Sequence, residues 1–100
     1  MYAVIFRAKV AQFDAGYHQT AERMRDMALR EYGCLEFSSC CEDGREIAIS
    51  YWDNEEQIKR WKKNADHLAA QENGRSTWYE SYSVEVVEVV RAYSFDASPA

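Results

Sequence analysis

The sequence predicts an α+β fold whose elements run strand, helix, strand, strand, helix, strand, the split-βαβ or ferredoxin-like arrangement. Three observations predict it. The apolar period alternates between about two and about 3.6 residues in that order along the chain. Cap and turn residues (Gly33, Glu42-Asp43-Gly44, Asp53) stand where the period changes. The length of 100 residues, without repeats, low-complexity runs or a Pro-rich linker, suits one domain. We expect that domain over residues 1–94 and a short flexible tail over 95–100.

Tyr2 to Val10 alternates, with Tyr2, Val4, Phe6, Ala8 and Val10 on one face and Ala3, Ile5, Arg7 and Lys9 on the other. From Ala15 to Tyr32 the spacing of Tyr17, Ala21, Met24 and Ala28, widened by Met27, makes a helical stripe. Gly33 stands where a helix end favours a left-handed residue. Cys34 to Cys41 reads as the second strand, Glu42-Asp43-Gly44 as a hairpin turn and Arg45 to Trp52 as the third strand. Asp53 followed by Glu56 resembles a capping box, and Glu55–Lys59 and Glu56–Arg60 are favourable i,i+4 pairs. The bases Lys62 and Lys63 trail the acids, which predicts that this helix breaks near Asn64. A second piece would then run from Ala65 to Glu72 and end at Asn73-Gly74. Trp78 to Tyr93 is rich in Tyr and Val and lacks a breaker. As one strand it would span on the order of 50 Å, too long for so small a domain, so it must bend or reach a neighbour. Val84 and Val86 share one parity and Val87 and Val89 the other, as a bulge or a strand buried on both faces would require.

Composition narrows the function. The net charge of −5 argues against a dedicated nucleic-acid binder. No apolar run approaches the roughly 20 residues of a membrane helix, and the N-terminus lacks a basic n-region, so we expect a cytoplasmic protein. Cys34, Cys40 and Cys41 are an odd count without a C-x-x-C spacing, which suggests neither a disulfide framework nor a zinc ribbon. Cys34 reads as a small buried hydrophobe, and the acids after Cys40-Cys41 oppose the lowered pKa that redox work needs. Lys59-Arg60-Trp61-Lys62-Lys63, flanked by Glu55 and Glu56, reads as a solvated helix face.

Three Trp, seven Tyr and four Phe are many rings for a core this size. With helices on one sheet face, the other face would hold Tyr2, Ile5, Phe6, Trp52 and the C-terminal Val run exposed to water. Two copies packed sheet to sheet, with their long last strands crossing over, would cover it. The expected partner is therefore a second copy of the chain, a homodimer.

The residues Ile49-Ser50-Tyr51-Trp52-Asp53, Ile58, Trp61-Lys62, His67-Leu68-Ala69-Ala70-Gln71, Gly74-Arg75, Trp78-Tyr79 and Tyr82 carry a resemblance. Together with a first helix ending at Gly33, they make residues 2–93 resemble the antibiotic biosynthesis monooxygenase family of dimeric α+β barrels. The resemblance implies an antiparallel sheet, a long C-terminal strand and a cofactor-independent monooxygenase acting on a planar, electron-rich quinol- or anthrone-like molecule. It implies no cofactor and no metal. Such chemistry needs an apolar cavity, ring surfaces and groups that favour a deprotonated substrate.

His67 is the group titrating near neutral pH inside the resembling segment, which makes it the candidate catalytic base. A break near Asn64 would turn it toward the sheet; in an unbroken helix it lies opposite Ile58, Trp61, Ala65 and Leu68, in solvent. His18, at the start of the first helix, reads as structural. Trp61 is expected in the cavity wall or the core, and Trp52 and Trp78 at a pocket mouth, in the core or at a dimer interface. Ser50 and Arg7 are strand polar residues able to point into a barrel, although an ion pair is the commoner fate of such an Arg. The alternative to an enzyme is a non-catalytic homodimeric binding or structural module whose cavity is filled by Trp61, Trp52 and Phe6. A third reading, haem degradation, fits poorly: the resembling enzymes use a first-strand Asn and a His ten residues after the Trp. Here the first strand has no Asn and that position is Gln71.

Overall fold

A computed structural model describes residues 1–11, 13, 15–71 and 78–98. Its elements follow the predicted order: β1 (Tyr2–Val10), α1 (Ala15–Glu31), β2 (Glu36–Glu42), β3 (Arg45–Trp52), α2 (Glu55–Gln71) and β4 (Tyr79–Glu88). The strands make one antiparallel sheet in the order β2-β3-β1-β4. Both helices cover the same sheet face, which carries the even-numbered residues of β1 and β3, Tyr82, Val84 and Val86 of β4, and the odd-numbered Phe37, Ser39 and Cys41 of β2.

Register decides which side chains meet. Val4 lies opposite Ser50 and Val86, Phe6 opposite Ala48 and Val84, and Ala8 opposite Glu46 and Tyr82. Tyr2, Phe6 and Trp52 therefore belong to the helix-covered face, not to the open face where the sequence reading put them. The reason is parity. Trp52 pairs with Tyr2 in the register that also turns Val4 toward the helices, and there it packs with Ala28, Cys34 and Ile58. The open face carries Ile5, Ile47, Ile49, Tyr51 and Val87, with Arg7 and Lys9 toward one end.

Local chemistry sets the element ends. Gly33 closes α1 with φ at 81°, and the Cys34 N–H donates to the Ala28 carbonyl at 2.9 Å. The positive φ strains any residue with a Cβ at Gly33, and that Cβ would also push the Gln57 amide aside. Asp43 and Gly44 both have positive φ, 51° and 76°, the type I′ turn that suits a two-residue hairpin. β2 starts at Glu36 rather than at Cys34, whose thiol donates to the Glu36 carbonyl oxygen at 3.2 Å.

Two expectations about α2 change. Its capping box is Asn54 with Gln57, one residue beyond Asp53 with Glu56. The Gln57 N–H donates to Asn54 Oδ1 at 3.0 Å, and Gln57 Oε1 accepts from the Asn54 and Asp53 N–H groups. The helix also runs through Asn64 without a break. Ala65 and Leu68 extend the buried stripe of Ile58, and Lys62 pairs with Asp66 at 2.9 Å across the expected break. Continuous apolar burial outweighs the charge order, because surface dipole effects contribute only about 0.3–1 kcal/mol. Of the two predicted acid–base pairs, Glu56 instead meets Lys59 at 3.9 Å. Asn73-Gly74 and Gly74-Arg75 lie outside the described residues.

β4 is shorter than the predicted Trp78–Tyr93 run. Val84 and Val86 face the helices and Val87 faces away within one unbroken register, so β4 is apolar on both faces there. The irregularity lies elsewhere, between Lys9 and Val10 of the paired strand. Past Glu88 the chain continues without helix or strand through residue 97.

Candidate functional site

Between the sheet and the two helices lies a cavity of about 730 Å³. That volume is in the range of small-molecule sites. Its wall is mostly apolar and ring-rich, and its two ends differ.

At one end α2 presents Trp61. The indole Nε1–H donates to the Met24 carbonyl of α1 at 2.9 Å, which fixes the ring and ties the helices together. The ring meets Phe37 edge-on at 5.9 Å and Trp52 at 5.4 Å. Ile58, Val4 and Val86 complete this apolar wall.

At the other end α1 presents Tyr17, packed edge-on against Trp78 at 5.4 Å and Tyr79 at 5.9 Å. Phe6 stacks on Tyr82 at 5.8 Å beside them. The Tyr17 hydroxyl donates to Glu46 Oε2. Burial pushes the Glu46 carboxyl above the usual carboxylate range.

The charged groups near the mouth are paired with each other. Lys62 meets Asp66 on α2 at 2.9 Å, and Arg25 meets Glu22 on α1 at 3.9 Å. Among the described residues no group of three or more His, Cys, Asp or Glu is gathered to hold a metal ion.

The predicted site residues separate. Trp61 and Trp78 line the cavity. Trp52 lies beneath it, fully buried, and donates its indole N–H to Ser50 Oγ at 2.9 Å. Ser50 is buried with it and does not reach the lining. Arg7 points to the opposite sheet face, where it pairs with Glu85. His67 is exposed on α2 and is not part of the lining, as an unbroken helix requires. The cavity is not closed by its own rings: Trp61 and Phe6 border open space.

Sequence reading missed Glu46 and read His18 as structural; both line the cavity. A signal for Glu46 was present. It shares parity with Ala48, Ser50 and Trp52, so a carboxyl was already on the face that carries a buried Trp. Of the cysteines, Cys34 is buried and Cys40 and Cys41 are exposed. Partial burial and the neighbouring Cys40 thiol push Cys41 up, away from reactivity.

No helix among the described residues is long and apolar enough to cross a membrane. Comparison with known proteins agrees with this architecture. The family model described as antibiotic biosynthesis monooxygenase matches residues 1–73. The chain is 47% identical over 95 residues to the uncharacterized protein YqjZ of Bacillus subtilis, covering 94% of this chain and 83% of that one. It is 34% identical over 94 residues to a jasmonate monooxygenase of Pyricularia oryzae, covering 89% of this chain but only 43% of the fungal protein. The fold matches crystalline SnoaB, a cofactor-independent oxygenase from Streptomyces nogalater, with a TM-score of 0.73 at 14% identity, covering 91% of this chain and 94% of SnoaB. The chain belongs to the antibiotic biosynthesis monooxygenase family.

Proposed function

We propose that the chain is a cofactor-independent monooxygenase of a planar, electron-rich ring compound, quinol- or anthrone-like, bound between the sheet and the helices. The observation that carries this reading is the open, ring-lined cavity of about 730 Å³. Rings on both sides hold a flat molecule by its faces, and the apolar wall excludes water. Dioxygen reacts slowly with closed-shell molecules, but a deprotonated anthrone or quinol supplies the first electron itself. For an anthrone the overall change is a ring CH2 plus O2 giving C=O plus H2O.

The working unit in this reading is a homodimer. The open sheet face carries Ile5, Ile47, Ile49 and Val87. Beyond β4, Val90, Tyr93 and Phe95 are 86%, 85% and 91% exposed, which a monomer has no reason to maintain. A second copy would cover both surfaces.

Oxygen uptake with a panel of anthrones and naphthoquinols tests the chemistry, using protein dialysed against a chelator. We expect uptake above the buffer rate that survives dialysis and falls at least tenfold in Trp61→Ala. Uptake no faster than buffer autoxidation for every compound would overturn the oxygenase reading.

A further inference from the structure

The end of the cavity away from Trp61 is built around a carboxyl. Glu46 stands on β3 between Ala8 of β1 and Cys41 of β2, two small neighbours that leave room above it. It is 8% exposed and still borders the cavity. Tyr17, 2% exposed, holds it from α1 by donating to Oε2. Among the described residues no cation pairs with Glu46; Lys62 and Arg25 are engaged by Asp66 and Glu22. A buried carboxyl without a counter-ion is costly, and such groups cluster at functional sites.

In its ionised form Glu46 has acceptor positions only, roughly four of them, and Tyr17 occupies one. Whatever lies against Glu46 must therefore bring a donor. A second negative charge at this place would meet repulsion that the low local dielectric amplifies.

We infer that Glu46, held in place by Tyr17, accepts a hydrogen bond from a hydroxyl of the bound molecule, so that the cavity selects neutral, hydroxyl-bearing planar rings over carboxylates of the same shape. The inference rests on the cavity reading above and narrows its substrate class. Trp78 and Tyr79 give the ring a surface next to the hydroxyl, and Trp61 closes the far side.

Equilibrium dialysis of the full chain at neutral pH against 2-naphthol, naphthalene and 2-naphthoate tests it without requiring turnover. The wild type should bind 2-naphthol about tenfold more tightly than naphthalene, with 2-naphthoate weakest. Glu46→Gln keeps an acceptor for Tyr17, so the fold is preserved. Its preference for 2-naphthol should shrink severalfold and its binding of 2-naphthoate should rise about tenfold, with naphthalene unchanged. Tyr17→Phe, a second variant, should weaken 2-naphthol severalfold and leave naphthalene alone. A purely structural Glu46 would move all three ligands together. If the wild type binds naphthol and naphthoate equally, or Glu46→Gln keeps the wild-type order, the inference falls while the cavity reading stands. If none of the three binds, both fall. Selective naphthol binding without oxygen uptake upholds the inference and removes only the oxygenase chemistry.

Discussion

The two ends of the cavity are built on different physics. The Trp61 end is an apolar wall continuous with a core of Val4, Ala28, Cys34, Trp52 and Ile58. Its one polar tie, the indole bond to the Met24 carbonyl, joins the two helices. The Tyr17 end has a separate core of Ala8, Val10, Tyr17 and Trp78, with a buried carboxyl set into it that accepts from Tyr17 and meets no cation among the described residues. The first end spends its rings on stability and the second keeps a costly polar group in place. A binding site gains from that division: one end stays rigid and the other reads chemistry.

The largest expected effect lies in the Trp61 end. Trp52→Ala empties the centre of that core and should cost about 3–5 kcal/mol, read as a lowered denaturant midpoint. A loss under about 1 kcal/mol would show that the two cores do not differ in weight. Trp61→Phe keeps a ring but orphans the Met24 carbonyl. It should cost about 1 kcal/mol and loosen α1 from α2, visible as faster amide exchange in both helices.

Titration sharpens the Tyr17 end. Burial raises the Glu46 carboxyl in the folded state, so ionising it there costs stability. Its stabilising contribution is complete below the ordinary carboxyl range and is lost as pH rises through the raised value. The melting temperature of Glu46→Gln should therefore gain on that of the wild type as pH climbs from about 4 toward neutral. A difference that is flat with pH would show that the carboxyl is not desolvated. The smallest effect is expected outside both ends. His67→Ala removes an exposed side chain and should change stability by less than about 0.5 kcal/mol and leave oxygen uptake unaltered. A large loss of uptake would restore His67 as the base.

The two ends were also unequally legible. Trp61 and Trp78 stand on strongly periodic or family-like segments, and both reached the cavity. Glu46 was hidden because one carboxyl in an alternating strand reads as a solvated residue until the helix above it is in place. Ser50 and Arg7 stand outside the lining for different reasons: Trp52 donates to the first, and Glu85, on the open sheet face, pairs with the second. The break expected in α2 came from charge order, a weak term, set against an apolar stripe that ran on through Ala65 and Leu68.

The sequence by itself determined the order of elements, the bounds of β1 and α1 nearly to the residue, the Gly33 and Asp43-Gly44 turns, and the family. These follow from local rules: side-chain period, permitted φ and capping chemistry act over a few neighbours. Only the tertiary structure decided which sheet face Tyr2, Phe6 and Trp52 take, that the rings leave a cavity open, and that Tyr17 reaches Glu46. Those depend on register across the sheet and on contacts between residues far apart in the chain, such as the 29 positions separating Tyr17 from Glu46. Burial supplies their energy only once the sheet and helices have met.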